Sequence, residues 1–376
     1  MTVVAIAFWA CAALILYTHL GYPLMLHVLV ALRRHPTLKP GTWDEPPLVS
    51  LIVAAYDEED VIAAKVANAL ALDYPRERLE VIVASDGSAD ATVERARTAG
   101  ADLVLDLPRG GKVATQNAAA ERASGEVLTF SDANSAWAAD ALRHLVEPFA
   151  DPAVAYTCGQ VRFTGPAGDN LEGVYWHYEM HVREMESALA GVTAGNGAIY
   201  AVRRSAYIPL SPSGSHDLSF PFALAKRGLR SLYVPWARAE EKMVPDLEGE
   251  FARKRRMMVG LWDIVVGEGM LRPRGYTLLY AFELASHRLL RYLTPLLHLV
   301  ALGTNGALLG EGWVYTATFA IQIAFLLVAL LGRWLPLAPF RIARYYTMTT
   351  ASIAAGLWDR FRHGPPDTWE KAPGTR

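Results

Sequence analysis

Leu48-Val49-Ser50-Leu51-Ile52-Val53-Ala54-Ala55 runs straight into Tyr56-Asp57-Glu58-Glu59. A continuous apolar run, rich in branched side chains and ending abruptly in acids, predicts a strand buried on both faces. Similar runs recur at Leu79 to Ala84, Ala101 to Leu105 and Glu126 to Phe130. Between them, Asp57 to Leu72, Ala89 to Ala99 and Lys112 to Ala123 have the length and alanine content of helices. Strand and helix alternate, so the region from Pro46 to Ala150 reads as an α/β domain with a parallel sheet. Ligands of such sheets bind at the carboxyl ends of the strands.

Those ends are polar here: Tyr56-Asp57-Glu58-Glu59, Ser85-Asp86-Gly87-Ser88 and Ser131-Asp132-Ala133-Asn134. A single acid after a strand, such as Asp57 or Asp90, usually caps the next helix. Polar ends at matching depth on several strands point instead to one site. Asp132 and Asn134 offer oxygens two residues apart, suited to a hard cation such as Mg²⁺ or Mn²⁺ that takes its other ligands from phosphate and water. A plain turn after the strand is the other reading of that pair. Arg109-Gly110-Gly111-Lys112 is not a P-loop, because Asp106 stands where a Gly is needed and Val113 where a Ser or Thr is needed. It either faces a diphosphate from a helix start or forms a solvated turn.

The 376 residues are 52% hydrophobic and 20% charged, with the apolar residues gathered at both ends. A formal net charge of -2 argues against a nucleic-acid binder, whose grip on phosphate needs a basic excess. Cys11 and Cys158 have no C-x-x-C partner, which excludes a disulfide framework. From Thr2 to Leu32 there is no charged side chain, enough to cross a bilayer. The first cation, Arg33, follows the apolar run, whereas a cleaved signal peptide carries its cation before it. Tyr292 to Gly310 and Gly312 to Gly332 form a second apolar pair separated by Glu311. Tyr345 to Trp358 is shorter and suits an interfacial or buried helix, and the flanking Arg341, Arg344, Arg360 and Arg362 suggest one lying at the headgroups. Arg33, Arg34, Arg288, Arg291 and Arg333 flank the spans on the side of the middle region, which is therefore expected to be cytoplasmic.

In combination and order, Ala54-Ala55-Tyr56-Asp57-Glu58, Ser85-Asp86-Gly87-Ser88, Phe130-Ser131-Asp132-Ala133-Asn134 and Ser215-His216-Asp217 resemble the family 2 inverting glycosyltransferases. The resemblance runs from Gly21-Tyr22-Pro23 in the N-terminal anchor to the C-terminal hairpin. It implies a Rossmann-like GT-A catalytic domain, a nucleotide-sugar donor that is commonly a UDP-sugar, and Mg²⁺ or Mn²⁺. By matching motif, Ala55, Tyr56 and Glu58 would line the nucleotide site, Asp86 would contact the nucleoside, and Lys112 would lie near the phosphates. Asp132 would open the D-x-D metal motif. Asp217 matches the general base that takes the proton of the attacking hydroxyl, as inversion requires. Arg253-Lys254-Arg255-Arg256-Met257 stands where the family has Gln-x-x-Arg-Trp, so Arg253 and Arg256 would neutralise the diphosphate. A basic helix resting on anionic lipid is the alternative for that segment, and for Lys254 and Arg255 the two readings are compatible. Gly195-Asn196-Gly197 matches the acceptor-side segment, which also reads as a simple turn. Departures are Asn134 for the second Asp of D-x-D, Met257 for the stacking Trp, and His216 for Glu beside the base.

The expected organisation is an anchor over 1–32, a catalytic domain over 46–262, amphipathic interface helices over 263–291, spans over 292–310 and 312–332, and an interfacial helix with a cytoplasmic tail over 338–376. The expected function is a multi-pass inner (plasma) membrane transferase acting on a lipid-linked or growing glycan. A processive synthase that extrudes its polymer ranks second, since few spans and Met257 in place of Trp argue against it. A non-catalytic binding subunit ranks third, opposed by the joint presence of Asp86, Asp132 and Asp217.

Overall fold

The computed structural model describes residues 1–33, 43, 45–164, 171–212, 214–242, 247–335 and 337–364. The expected tail therefore falls partly outside the described residues. At its centre is a sheet of strands β1 (Val49–Ala55), β2 (Leu79–Asp86), β3 (Leu103–Leu107), β4 (Val127–Asp132), β5 (Ala136–Trp137), β6 (Val154–Thr164), β7 (Ile199–Arg203) and β8 (Arg230–Lys242). Their spatial order is β3-β2-β1-β4-β7-β6-β8-β5. The first half is parallel, as the alternating pattern predicts, and beyond β4 the sheet becomes mixed because β7 joins antiparallel.

Every residue of β1 is buried, which explains the absence of polar alternation in its sequence. Register sets the depth of the strand ends: Ala55 lies opposite Ser85, and Ala54 opposite Asp132. Tyr56, Asp86 and Asp132 thus finish at one edge.

Thirteen helices complete the described chain. α1 (Thr2–Leu16) and α2 (Tyr22–Leu32) join through a π turn into one continuous helix. Around the sheet lie α3 (Ile62–Leu70), α4 (Thr92–Thr98), α5 (Lys112–Arg122), α6 (Ala141–Val146), α7 (Leu171–Leu189), α8 (His216–Ala225) and α9 (Leu247–Trp262). α10 (Leu278–Glu283), α11 (Leu290–Ala307), α12 (Trp313–Leu331) and α13 (Ala338–His363) follow. α3 starts later than the expected Asp57. Asp57 sits at φ 48, outside the helical region, and the Glu58 and Glu59 N–H groups donate to Thr92 and Asp90 rather than starting a helix. Asp90 also accepts from the Thr92 N–H at 3.0 Å, and Asp57 from the Ala89 N–H at 2.8 Å. Both acids are structural ties at the start of α4.

Among the described residues, two helices are long and apolar enough to cross a membrane, Thr2–Leu32 and Trp313–Leu331. α11, which covers most of the expected span 292–310, is not one of them: His298 hydrogen-bonds Tyr346, and fully buried Asn305 hydrogen-bonds Thr318. α13 is longer than the expected run. It is a 26-residue helix packed along α9, so the short run from Tyr345 to Trp358 is only its middle. Arg344 pairs with Glu248 and Arg360 with Asp263, so these cations serve packing against the catalytic region.

A buried hub docks the N-terminal helix. Glu186 on α7 accepts from the Tyr22 hydroxyl at 2.6 Å and meets His287 Nδ1 at 2.7 Å through one oxygen. Its other oxygen accepts from the Thr193 hydroxyl at 3.0 Å, just before the Gly195-Asn196-Gly197 segment. Burying this carboxylate without partners would be costly, and the surrounding donors offset that cost. Cys11 and Cys158 are free and buried.

Candidate active site

Two acids at the strand ends have different surroundings. Asp86 is fully buried and accepts from the Gly110 N–H at 2.7 Å, the Gly111 N–H at 3.0 Å and Arg109 at 2.8 Å. The Gly-Gly turn therefore aims its N–H groups at Asp86, which corrects the idea of a glycine loop facing a diphosphate. Gly111 has φ 89, a conformation open to glycine. The Arg109 guanidinium in turn covers the Tyr56 ring, 3.3 Å from its centroid. Glu58 is buried beside this edge, 2% exposed. Ala55 is buried at the end of β1.

Asp132 stays partly accessible and forms an ion pair with Lys112 at the start of α5. Burial opposes the charge on Lys112, but Asp132, Asp217 and Glu241 outweigh it and raise its pKa. One ammonium thus lies within electrostatic reach of these acids. Beneath it, Lys65 is buried and donates to the Ser135 carbonyl at 2.8 Å. Its pKa is lowered to about 7 by burial, against the pull of Asp132 and Glu241. Asn134 lies in the turn that follows Asp132, closed by the Ser135 N–H donating to the Asp132 carbonyl at 3.2 Å.

Asp217 sits in the first turn of α8, where the Ser215 hydroxyl donates to its carboxylate. Its backbone carbonyl accepts from the Gly195 N–H at 2.6 Å. The acceptor-side segment and the base expected from sequence are therefore bonded to each other. Asn196 donates to the Gly159 carbonyl at 2.5 Å, and Gly197 faces open space. Asp217 also acts electrostatically on Tyr156 and Tyr200, both buried. His216, its neighbour, points the other way, into a cage of Phe130, Tyr200, Tyr207 and Phe220. Its Nδ1 meets the Tyr200 hydroxyl at 2.8 Å, and burial together with the charge on Lys112 pushes its pKa down to about 3. A neutral imidazole that anchors α8 explains a His at this position.

Arg253 is held within its own helix by two bonds of 2.8 Å to Glu250, while Arg256 is exposed on α9. Lys254 donates to Tyr345 and Arg255 pairs with Asp359. Both therefore tie α9 to α13. Among the described residues, no group of at least three His, Cys, Asp or Glu side chains is placed to hold a metal. Asp132 and Asn134 would offer two protein oxygens, a set that suits a hard cation taking its other ligands from diphosphate and water.

The sequence did not single out Lys65 or Glu241, nor the contact of Arg109 with Asp86 and the Tyr56 ring. Lys65 left a trace: it occupies a core-facing position between Ile62 and Val66 on an otherwise apolar helix face.

The model of glycosyl transferase family 2 matches residues 50–225, a span holding the Tyr56, Asp86, Asp132 and Asp217 positions. The chain carries a family 2 glycosyltransferase domain. Poly-beta-1,6-N-acetyl-D-glucosamine synthase of Staphylococcus aureus (strain MSSA476) is 25% identical over 224 residues, 56% of this chain and 54% of that protein. Beta-monoglucosyldiacylglycerol synthase of Trichormus variabilis is 29% identical over 215 residues, 52% of this chain and 45% of that protein. The chain spans about half the length of these curated relatives. Mannosyltransferase PcManGT from Pyrobaculum calidifontis, solved in complex with GDP-Man and Mn²⁺, superimposes with a TM-score of 0.69 at 23% identity. That match covers 94% of this chain and 99% of the other, and it establishes the Rossmann-like GT-A fold of the glycosyltransferase domain.

The Gly195 contact yields a prediction. A Cβ there would collide with the Tyr156 hydroxyl, which has no hydrogen-bond partner among the described residues. Gly195→Ala is expected to destabilise the domain by roughly 1–3 kcal/mol, as overpacking does. Adding Tyr156→Phe removes the nearest colliding atom but leaves the ring carbon Cζ at 2.7 Å, so thermal unfolding of the double variant should recover only part of the loss. Equal melting of single and double variants would show that the hydroxyl is not the obstacle.

Proposed function

We propose that this chain is a membrane-associated inverting transferase that moves a sugar from a nucleoside diphosphate donor onto a hydroxyl of a lipid-linked or growing glycan. The observation that carries the reading is the Lys112 ammonium, ion-paired with Asp132 and within electrostatic reach of Asp217. Residues far apart in sequence thereby join one electrostatic cluster, in which Lys112 would serve the phosphates and Asp217 the acceptor hydroxyl.

Asp217 takes the proton of the acceptor hydroxyl as it attacks the anomeric carbon opposite the leaving diphosphate. Ser215 and the Gly195 N–H fix that residue through its carboxylate and carbonyl. Asp132 and Asn134 would hold Mg²⁺ or Mn²⁺, which when bound neutralises charge building on the diphosphate. Lys112 adds fixed positive charge there, and Arg253 and Arg256 are the candidates to reach the same phosphates. Ala55, Tyr56, Glu58 and Asp86 form the nucleoside end, for which a uridine nucleotide is our first choice. Gly195, Asn196 and Gly197 line the acceptor side. Thr2–Leu32 and Trp313–Leu331 hold the domain at the bilayer of the inner (plasma) membrane, with the catalytic side cytoplasmic.

The test is a panel of UDP- and GDP-sugars offered with Mn²⁺ to the full chain in lipid nanodiscs, reading nucleoside diphosphate release. Release from at least one donor is expected. No release across the panel would refute the reading. A processive synthase is the second reading, supported by the likeness to the Staphylococcus aureus polymer synthase. A product ladder of long chains, rather than one added sugar, would favour it.

A further inference from the structure

We infer that a cleft on the outer face of β8 is a binding subsite for a neutral glycan chain, separate from the donor site and built around Trp236. The inference rests on the proposed transfer to a glycan acceptor.

The cleft has a volume of about 390 Å³ and is lined by Asp140, His144, Trp236 and Arg238. That volume lies in the range of small-ligand sites. Trp236 is 62% exposed, although an indole is among the costliest side chains to leave in water. Its neighbours in the strand explain the orientation. Ala237 and Ala239 are fully buried in the core, so alternation turns Trp236, Arg238 and Glu240 outward along one face.

Chemistry on that face matches a sugar. The indole face carries the negative lobe of the ring quadrupole, which attracts the weakly positive C–H groups on the apolar side of a pyranose. Around it stand groups that serve hydroxyls, which both donate and accept. Asp140 offers carboxylate oxygens, His144 lies 3.4 Å from Asp140, and the Arg238 guanidinium carbon sits 5.8 Å from the Trp236 ring centroid. Arg238 Nε is buried without a hydrogen-bond partner among the described residues, a donor already withdrawn from water.

An anionic lipid surface is the competing occupant for an exposed Trp beside an Arg. The carboxylates of Asp140, of Glu147 near His144, and of exposed Glu240 would repel it, whereas they favour an uncharged polyol.

Position links the cleft to catalysis. The Ala138 N–H donates to the Arg238 carbonyl at 3.0 Å, and Glu240 pairs with Ala136, which follows closely on Asp132 and Asn134. From Glu240 to Trp236 the strand extends roughly 13 Å. A glycan whose end lies near the metal turn could therefore rest a few sugars back on Trp236.

The experiment uses the full chain labelled with fluorotryptophan in phosphatidylcholine nanodiscs, and Trp236→Phe identifies the Trp236 resonance by its loss. Neutral pentasaccharides of glucose, mannose and N-acetylglucosamine are titrated in, and separately the nanodisc lipid is doped with a paramagnetic lipid. The expected result is a shift of the Trp236 signal with at least one pentasaccharide and no broadening by the lipid. Trp236→Ala should weaken that sugar at least about tenfold, the loss typical of one removed ring-stacking contact. A Trp236 signal unmoved by every sugar, a signal broadened by lipid, or equal sugar affinity in Trp236→Ala would each overturn the inference. Acceptor-free nucleoside diphosphate release is read on the same wild-type samples. Release without sugar binding removes the subsite alone. Absence of release from the wild type removes the transferase reading, and the titration still decides the cleft.

Discussion

Asp217→Asn is expected to lower sugar transfer by on the order of 10²–10⁴-fold, the contribution of a positioned general base, while nucleotide-sugar affinity stays near that of the wild type. An amide keeps the shape of the carboxylate but cannot take the hydroxyl proton. Its carbonyl oxygen still accepts from the Ser215 hydroxyl, and the backbone bond to Gly195 does not involve the side chain. The fold around α8 should therefore persist, and loss of turnover would report chemistry. Single-turnover transfer and donor titration on the same preparation separate the two effects. A variant that turns over normally would exclude Asp217 as the base, and unimpaired cellular function would support a binding subunit without catalysis.

Asp132→Ala should reduce both donor affinity in Mn²⁺ and transfer, each by at least on the order of tenfold. Two losses combine in this variant. The carboxylate that would ligate the cation is gone, and Lys112, whose raised pKa depends in part on Asp132, loses its ion-pair partner. Calorimetry should find that the affinity difference between wild type and variant shrinks when chelator replaces Mn²⁺, because the cation bridges side chain and diphosphate. Donor affinity in Mn²⁺ equal to that of the wild type would remove the metal role of Asp132.

The parallel half of the sheet was legible because β1 is buried along its whole length, so apolar content alone marked it. Depth was legible too: once Ala54 faces Asp132 and Ala55 faces Ser85, the polar ends share an edge. The antiparallel second half was not, since nothing in β7 or β8 announces which strand each joins. Local spacing also failed where a loop partner comes from elsewhere. Gly110 and Gly111 suggest a phosphate cradle until Asp86 is seen to take their N–H groups. The cations of α13 suggested lipid headgroups, but their acidic partners, exposed Glu248 for Arg344 and Asp263 for Arg360, come from segments distant in sequence. His216 was open in the sequence because its meaning depends on the Tyr200 hydroxyl and an aromatic cage assembled from separate elements.

Crystals of the full chain soaked with Mn²⁺ and a nucleoside diphosphate give the most direct measurement, an anomalous difference map at the manganese edge. The account predicts a peak within coordination distance of Asp132 and Asn134, with the diphosphate on the Lys112 side and the Asp217 carboxylate facing the position of the transferred sugar. A peak bound elsewhere, or nucleotide density away from the ends of β1, β2 and β4, would contradict it.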